Sequence, residues 1–150
     1  IRLKPNDFVV SMSLIPNLEK RFILSVTENG FGKRTPIEDY RMTNRGGQGV
    51  ANIECSTRNG PVVASYVASE DDQIMLVTNA GKLIRIRVHG GEGDSIRVAG
   101  RKTQGVRLFD VDEGEKVVSV ALLSESEDEQ DDEVSAEVLE NKDTDNEINN

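Results

Sequence analysis

The 150-residue chain has no tryptophan, two tyrosines and four phenylalanines. So small an aromatic supply argues against holding single-stranded nucleic acid by base stacking. A single cysteine, Cys55, excludes an internal disulfide and a thiolate metal cluster and suits a reducing compartment. It is expected to be a small buried hydrophobe on a strand rather than a nucleophile. The one histidine, His89, leaves no parts for a histidine-based triad or a multi-histidine metal site. It stands in His89-Gly90-Gly91-Glu92-Gly93-Asp94 and is expected in an exposed loop. No run of 18 apolar residues occurs, so no transmembrane helix is expected. The basic-then-apolar pattern of a signal peptide is missing from the first residues. With no Met at position 1 and Ile1 opening mid-pattern, the chain is expected to be a piece of a longer protein.

Charge is present, but it is segregated. The net charge is −9. Residues 124–150 carry 12 acidic side chains against Lys142 alone, which leaves 17 basic and 15 acidic residues in 1–123. A basic-leaning body with an acidic tail suits a nucleic-acid binder whose own polyanion competes for its surface. The tail has no aromatic residue and too little apolar surface to offset ordering entropy, so it is expected to be disordered.

The body repeats. Ile23-Leu24-Ser25-Val26-Thr27-Glu28-Asn29-Gly30 recurs as Ile74-Met75-Leu76-Val77-Thr78-Asn79-Ala80-Gly81. Arg45-Gly46-Gly47-Gln48-Gly49-Val50 recurs as Arg101-Lys102-Thr103-Gln104-Gly105-Val106, and Asn59-Gly60-Pro61-Val62-Val63 as the stretch from Glu113 to Val118. A truncated copy opens the chain, where Ile1-Arg2-Leu3 and Phe8-Val9-Val10-Ser11 match Val106-Arg107-Leu108 and Lys116-Val117-Val118-Ser119. A spacing of about 51–56 residues is close to one propeller blade.

Each repeat reads as four short strands. Residues 22–27 and 74–78 are nearly continuous apolar runs, as expected where both faces of a strand are covered. In Leu83-Ile84-Arg85-Ile86-Arg87-Val88, the apolar and basic residues alternate, the pattern of a half-buried strand. Asn29-Gly30, Asn59-Gly60 and the stretch from Asn79 to Gly81 supply hairpin turns. The fold class is all-β, a propeller-like repeat with about two four-stranded blades and part of another. The boundaries are 1–19 for the end of a preceding blade, 20–68 and 69–123 for two blades, and 124–150 for the tail.

Catalytic chemistry is not expected. Gly32-Lys33-Arg34-Thr35 fails as a phosphate loop, because Thr27 and Arg34 occupy positions that need Gly and Ser or Thr. The acidic cluster Glu70-Asp71-Asp72 reads as a solvated turn. What recurs is cationic: Lys33-Arg34 against Arg85 and Arg87, and Arg45 against Arg101-Lys102. Equivalent positions on successive blades lie on one rim, and a curved positive stripe can hold a bent duplex by its phosphates. Gly46, Gly47, Gly49 and Gly105 would let backbone N–H groups approach phosphate oxygens.

Several strings resemble one family. Val26-Thr27-Glu28-Asn29-Gly30-Phe31-Gly32-Lys33-Arg34-Thr35-Pro36, Asn44-Arg45-Gly46-Gly47-Gln48-Gly49-Val50, Asp72-Gln73-Ile74-Met75-Leu76-Val77-Thr78 and Gly100-Arg101-Lys102-Thr103-Gln104-Gly105-Val106 are similar to the C-terminal domains of DNA gyrase A proteins. The resemblance covers roughly residues 1–123. It implies a six-bladed β-pinwheel whose neighbouring blades exchange strands and whose basic rim wraps double-stranded DNA without sequence specificity. The whole enzyme, a bacterial cytoplasmic, nucleoid-associated A2B2 complex with no membrane partner, would introduce negative supercoils using ATP and Mg²⁺. None of its catalytic, metal or ATP residues is implied here. The DNA-binding positions carried over are Lys33, Arg34, Arg45, Lys82, Arg85, Arg87, Arg101 and Lys102. The family's Gln-Arg-Arg-Gly-Gly-x-Gly box survives only in part, as Arg45, Gly46, Gly47 and Gly49. The alternatives are the related C-terminal domain of topoisomerase IV, or a propeller that binds protein.

Overall fold

The computed structural model describes residues 1–15, 21–91 and 95–124. They form an all-β structure with one short 3₁₀ turn, Ile37–Asp39. The strands are β1 (Phe22–Thr27), β2 (Phe31–Pro36), β3 (Val62–Ala68), β4 (Gln73–Thr78), β5 (Leu83–Arg87), β6 (Val106–Arg107) and β7 (Val117–Leu123). They assemble into one sheet of order β3-β1-β2-β6 and a second of order β5-β4-β7.

The sequence repeat reappears as a structural one, residue for residue. In the first hairpin Val26 faces Gly32 and Leu24 faces Arg34; in the second, Val77 faces Leu83 and Met75 faces Arg85. Both turns place a glycine at positive φ, Gly30 at 76° and Gly81 at 82°, where its N–H donates to the Thr27 or Thr78 carbonyl. The returning strands β3 and β7 pair antiparallel with β1 and β4. Each pairing carries a register shift at the same place, between Val26 and Thr27 and between Val77 and Thr78.

Burial follows the apolar pattern. Leu24, Ser25, Val26 and Thr27 of β1 are all buried, so both faces of that strand are covered. On β5 the alternation holds, with Leu83, Arg85 and Arg87 exposed and Ile84 and Ile86 half-buried. Leu24, Val26, Ala64, Ala68, Ile74, Leu76, Val88, Ile96, Val117 and Val120 make one core shared by both sheets. Each Leu, Ile or Val side chain among them contributes about 1.5–3 kcal/mol when removed from water. Tyr66 ties the sheets together by donating to the Val120 carbonyl at 2.6 Å, and the Val117 N–H donates to the Glu28 carbonyl at 2.8 Å.

The fourth strand of the first sheet comes from the second repeat. After β5 the chain crosses onto β2, where the Arg34 N–H donates to the Arg97 carbonyl at 3.1 Å. The Ala99 N–H donates to the Arg34 carbonyl at 2.9 Å, which makes a parallel bridge between Arg34 and Val98. β6 then pairs antiparallel with β2, Val106 facing Gly32 and Arg107 facing Phe31. A strand of the second repeat therefore completes the sheet of the first. The second sheet has three strands among the described residues, not the four expected of each repeat.

Two further expectations are corrected. Cys55 is not a buried strand residue; it is exposed in an irregular stretch between Tyr40 and β3. Asp72 is not solvated, because its Oδ2 accepts the Ser69 N–H at 2.7 Å and its carbonyl accepts the Val88 N–H at 2.9 Å. The opening copy, 1–15, forms no strand. Of the expected tail, residues 125–150 lie outside the described residues.

Candidate nucleic-acid interface

The eight cations divide by position. Lys33 and Arg34 are in the interior, against the expectation that they lie on a rim. Lys33 is fully buried, and its Nζ donates to the Asn52 carbonyl at 2.8 Å and the Gly100 carbonyl at 2.5 Å. Burial, followed by the nearby Arg101 charge, pulls its pKa below the usual lysine value, with Asp39 acting in the opposite sense. Arg34 is 5% exposed. Its Nε donates to the Ile96 carbonyl at 2.6 Å, and its guanidinium lies 4.9 Å from the Phe22 ring centroid and 3.6 Å from Glu70. Thr35 Oγ1 completes the row by donating to the Ala99 carbonyl at 2.7 Å. These side chains face the exchanged segment, and the carbonyls of residues 96, 99 and 100 take the place of water as their partners.

Lys82 is half-exposed but committed. Its Nζ lies 2.7 Å from both Asp112 and Glu115. Glu115 is buried, and accepts from the Asp112 N–H at 2.9 Å and from Thr78 Oγ1 at 2.6 Å. The Asp112 N–H, then Lys82 and Thr78, hold its carboxyl down at about 2. Hydrogen bonds to Asp112 and Glu115 in turn raise the Lys82 pKa.

The remaining five reach solvent without a carboxylate partner among the described residues. Arg85 and Arg87 are exposed on one face of β5, with Arg85 Nε donating to Gln73 Oε1 at 2.6 Å. Arg45 is exposed in the 41–49 loop, and Lys102 is exposed in the turn before β6. Arg101 is half-buried; its Nη1 donates to the Ala51 carbonyl at 2.8 Å and its guanidinium lies 5.9 Å from the Tyr40 ring. This contact joins the Arg101-Lys102 turn to the stretch that follows Arg45. The partial box is open: Gly46 and Gly49 sit at positive φ, and Gly47 accepts the Arg2 N–H at 2.9 Å. Gly105, the corresponding glycine of the second copy, has a different job. A Cβ there would stand 2.7 Å from the Gly32 carbonyl oxygen, so the glycine lets β6 approach β2.

Sequence reasoning missed Arg41 and Arg97, both exposed and without an ion pair among the described residues. Arg97 was legible as part of a short alternation with Ile96 and Val98. Its neighbour Ile96 donates its N–H to the Val88 carbonyl at 3.1 Å, which puts Arg97 at the end of β5. Among the described residues, no group of three or more His, Cys, Asp or Glu comes together to hold a metal ion. The Gly32-Lys33-Arg34-Thr35 string is buried under the crossing segment, so nucleotide phosphates have no access to it. No helix among the described residues is long and apolar enough to cross a membrane.

A family model described as the DNA gyrase C-terminal domain, beta-propeller, matches residues 21–60 and 72–124. The chain is 48% identical over 141 residues to the DNA gyrase A protein of Rickettsia conorii, covering 91% of this chain and 15% of that protein. It is 40% identical over 128 residues to the gyrase A protein of Staphylococcus epidermidis, covering 85% of this chain and 14% of that one. Among solved structures it is similar to a DNA gyrase A C-terminal domain, with TM-score 0.60 and 29% identity over 68% of this chain and 33% of the other. It is also similar to the C-terminal domain of DNA topoisomerase IV, with TM-score 0.73 and 28% identity over 93% of this chain and 41% of the other. The two repeated hairpins, the strand exchanged between them and the family match lead to one conclusion: the chain belongs to the DNA gyrase C-terminal domain family.

Proposed function

We propose that this chain binds and bends double-stranded DNA through its phosphates, as a wrapping surface of a bacterial DNA gyrase A protein. The observation that carries this reading is the set Arg45, Arg85, Arg87, Arg101 and Lys102, all reaching solvent without a carboxylate partner among the described residues. A cation already paired with a carboxylate gains little from a phosphate, whereas a free one releases condensed counterions when it binds. Phosphate contacts carry no base information, so sequence preference is weak and follows ease of bending. In the whole A2B2 enzyme, with the gyrase B protein, the wrapped duplex is presented for strand passage, and ATP and Mg²⁺ serve catalytic steps outside this chain. The setting is the bacterial cytoplasm and nucleoid. The acidic residues of 124–150 compete with DNA for the same cations.

The test is binding of a duplex of about 40 base pairs across salt; five phosphate contacts give a log–log slope near −4.5. R85E/R87E is expected to weaken binding and make that slope shallower by about 2. No binding of the duplex at physiological salt, with these substitutions changing little, would overturn the reading and favour a protein-binding propeller. Deleting 124–150 is expected to tighten binding.

A further inference from the structure

β2 and β5 are the same strand of two successive repeats, yet among the described residues only β2 carries an exchanged segment. The two registers align Gly32 with Leu83, Lys33 with Ile84, Arg34 with Arg85 and Thr35 with Ile86. At β2 each of these residues has a task in holding its neighbour. A Cβ at Gly32 would stand 2.6 Å from Leu108 Cδ1, so the absent side chain makes room for the residue that follows β6. Lys33 Nζ, Arg34 Nε and Thr35 Oγ1 donate to the carbonyls of Gly100, Ile96 and Ala99. At β5 the room is filled by a leucine that is 64% exposed, and Ile84 and Ile86 have no donor to offer. Arg85 alone is retained.

The geometry points to Gly32-Lys33-Arg34-Thr35 as an acceptor code for the crossing segment of a following repeat, and to β5, with Leu83-Ile84-Arg85-Ile86, as an edge that refuses one. The partner that β2 selects is a main-chain ribbon with three carbonyls turned towards it, followed by Gly105 and a two-residue strand. Selection works through carbonyl acceptance and lack of bulk, so it tolerates changes in the side chains of the ribbon. Among the described residues β5 is an edge of its sheet, with Arg85 and Arg87 exposed on it. β5 therefore cannot hold such a ribbon in the manner of β2. This inference does not depend on DNA binding.

Two exchanges of sequence in the 150-residue chain test it. G32L/K33I/T35I gives β2 the character of β5. Hydrogen exchange should then lose protection at the Ala99 and Leu108 amides, which donate to the Arg34 and Gly30 carbonyls, while the amides of 74–78 in the second sheet stay protected. L83G/I84K/I86T gives β5 the acceptor string. A fluorescein-labelled peptide of residues 95–109 should bind this variant one to one and leave the wild type alone, whose β2 is already occupied. Unchanged protection at Ala99 and Leu108 in the first variant overturns the code. So does capture of the peptide by the wild type, or failure of the folded second variant to capture it. If the second variant does not fold, the exchange result decides alone.

Discussion

Arg34 and Arg85 occupy one register position in two hairpins and have opposite fates. Arg34 is covered by residues 96–100 and acts as a clasp; Arg85 has no such cover among the described residues and is exposed. R34Q is expected to destabilise the fold by about 1.5–3 kcal/mol, the loss of a buried charge-assisted hydrogen bond. R87Q, on the exposed face of β5, should stay within about 0.5 kcal/mol of wild type while weakening DNA binding. Urea melts of both variants separate the two roles. Glu115 gives a pH signature. Its pKa is about 2 in the folded protein against 4.5 unfolded, so its contribution is complete above pH 4.5 and disappears as pH falls towards 2. Lys82 is raised above 10.5, so its contribution is complete below that pH and is lost as pH rises through the higher folded value. E115Q is expected to flatten the acid limb of the stability profile between about pH 5 and 2, as measured by urea melts at each pH.

Hairpins were the elements most legible in the sequence. The recurring apolar runs, the turn glycines and the alternation of Leu83-Ile84-Arg85-Ile86-Arg87 predict β1, β4 and β5 because those signals are local. The home of β6 was not legible as a pairing, since a two-residue strand carries no periodicity and its partner lies in another repeat. That gap also explains the misplaced Lys33 and Arg34. A basic residue on a short strand reads as solvent-facing, and only the crossing segment, 63 residues further on, turns its environment into a ring of carbonyls. Arg45, Arg85, Arg87 and Lys102 reach solvent as expected because nothing crosses over them among the described residues. At the element scale, the β6 junction is the sensitive point. G81A meets no atom within 4 Å and should cost about 1–2 kcal/mol for its positive φ alone. G105A adds a clash with the Gly32 backbone at 2.7 Å and should cost distinctly more in the same urea assay.

At the scale of the whole molecule, the exchange makes the first sheet depend on residues that come late in the chain. β3 ends at Ala68, but β6 begins only at Val106. On a ribosome adding about 5–20 residues per second, the first sheet waits roughly 2–8 s for its last strand. Throughout that interval the outer edge of β2 is bare, and a bare edge invites pairing with the wrong chain. Lys33 and Arg34 then point into water, and their charges keep other strands away until the proper ribbon arrives to accept their protons in hydrogen bonds. The residues that fasten the finished blade are, for those seconds, its guards against aggregation.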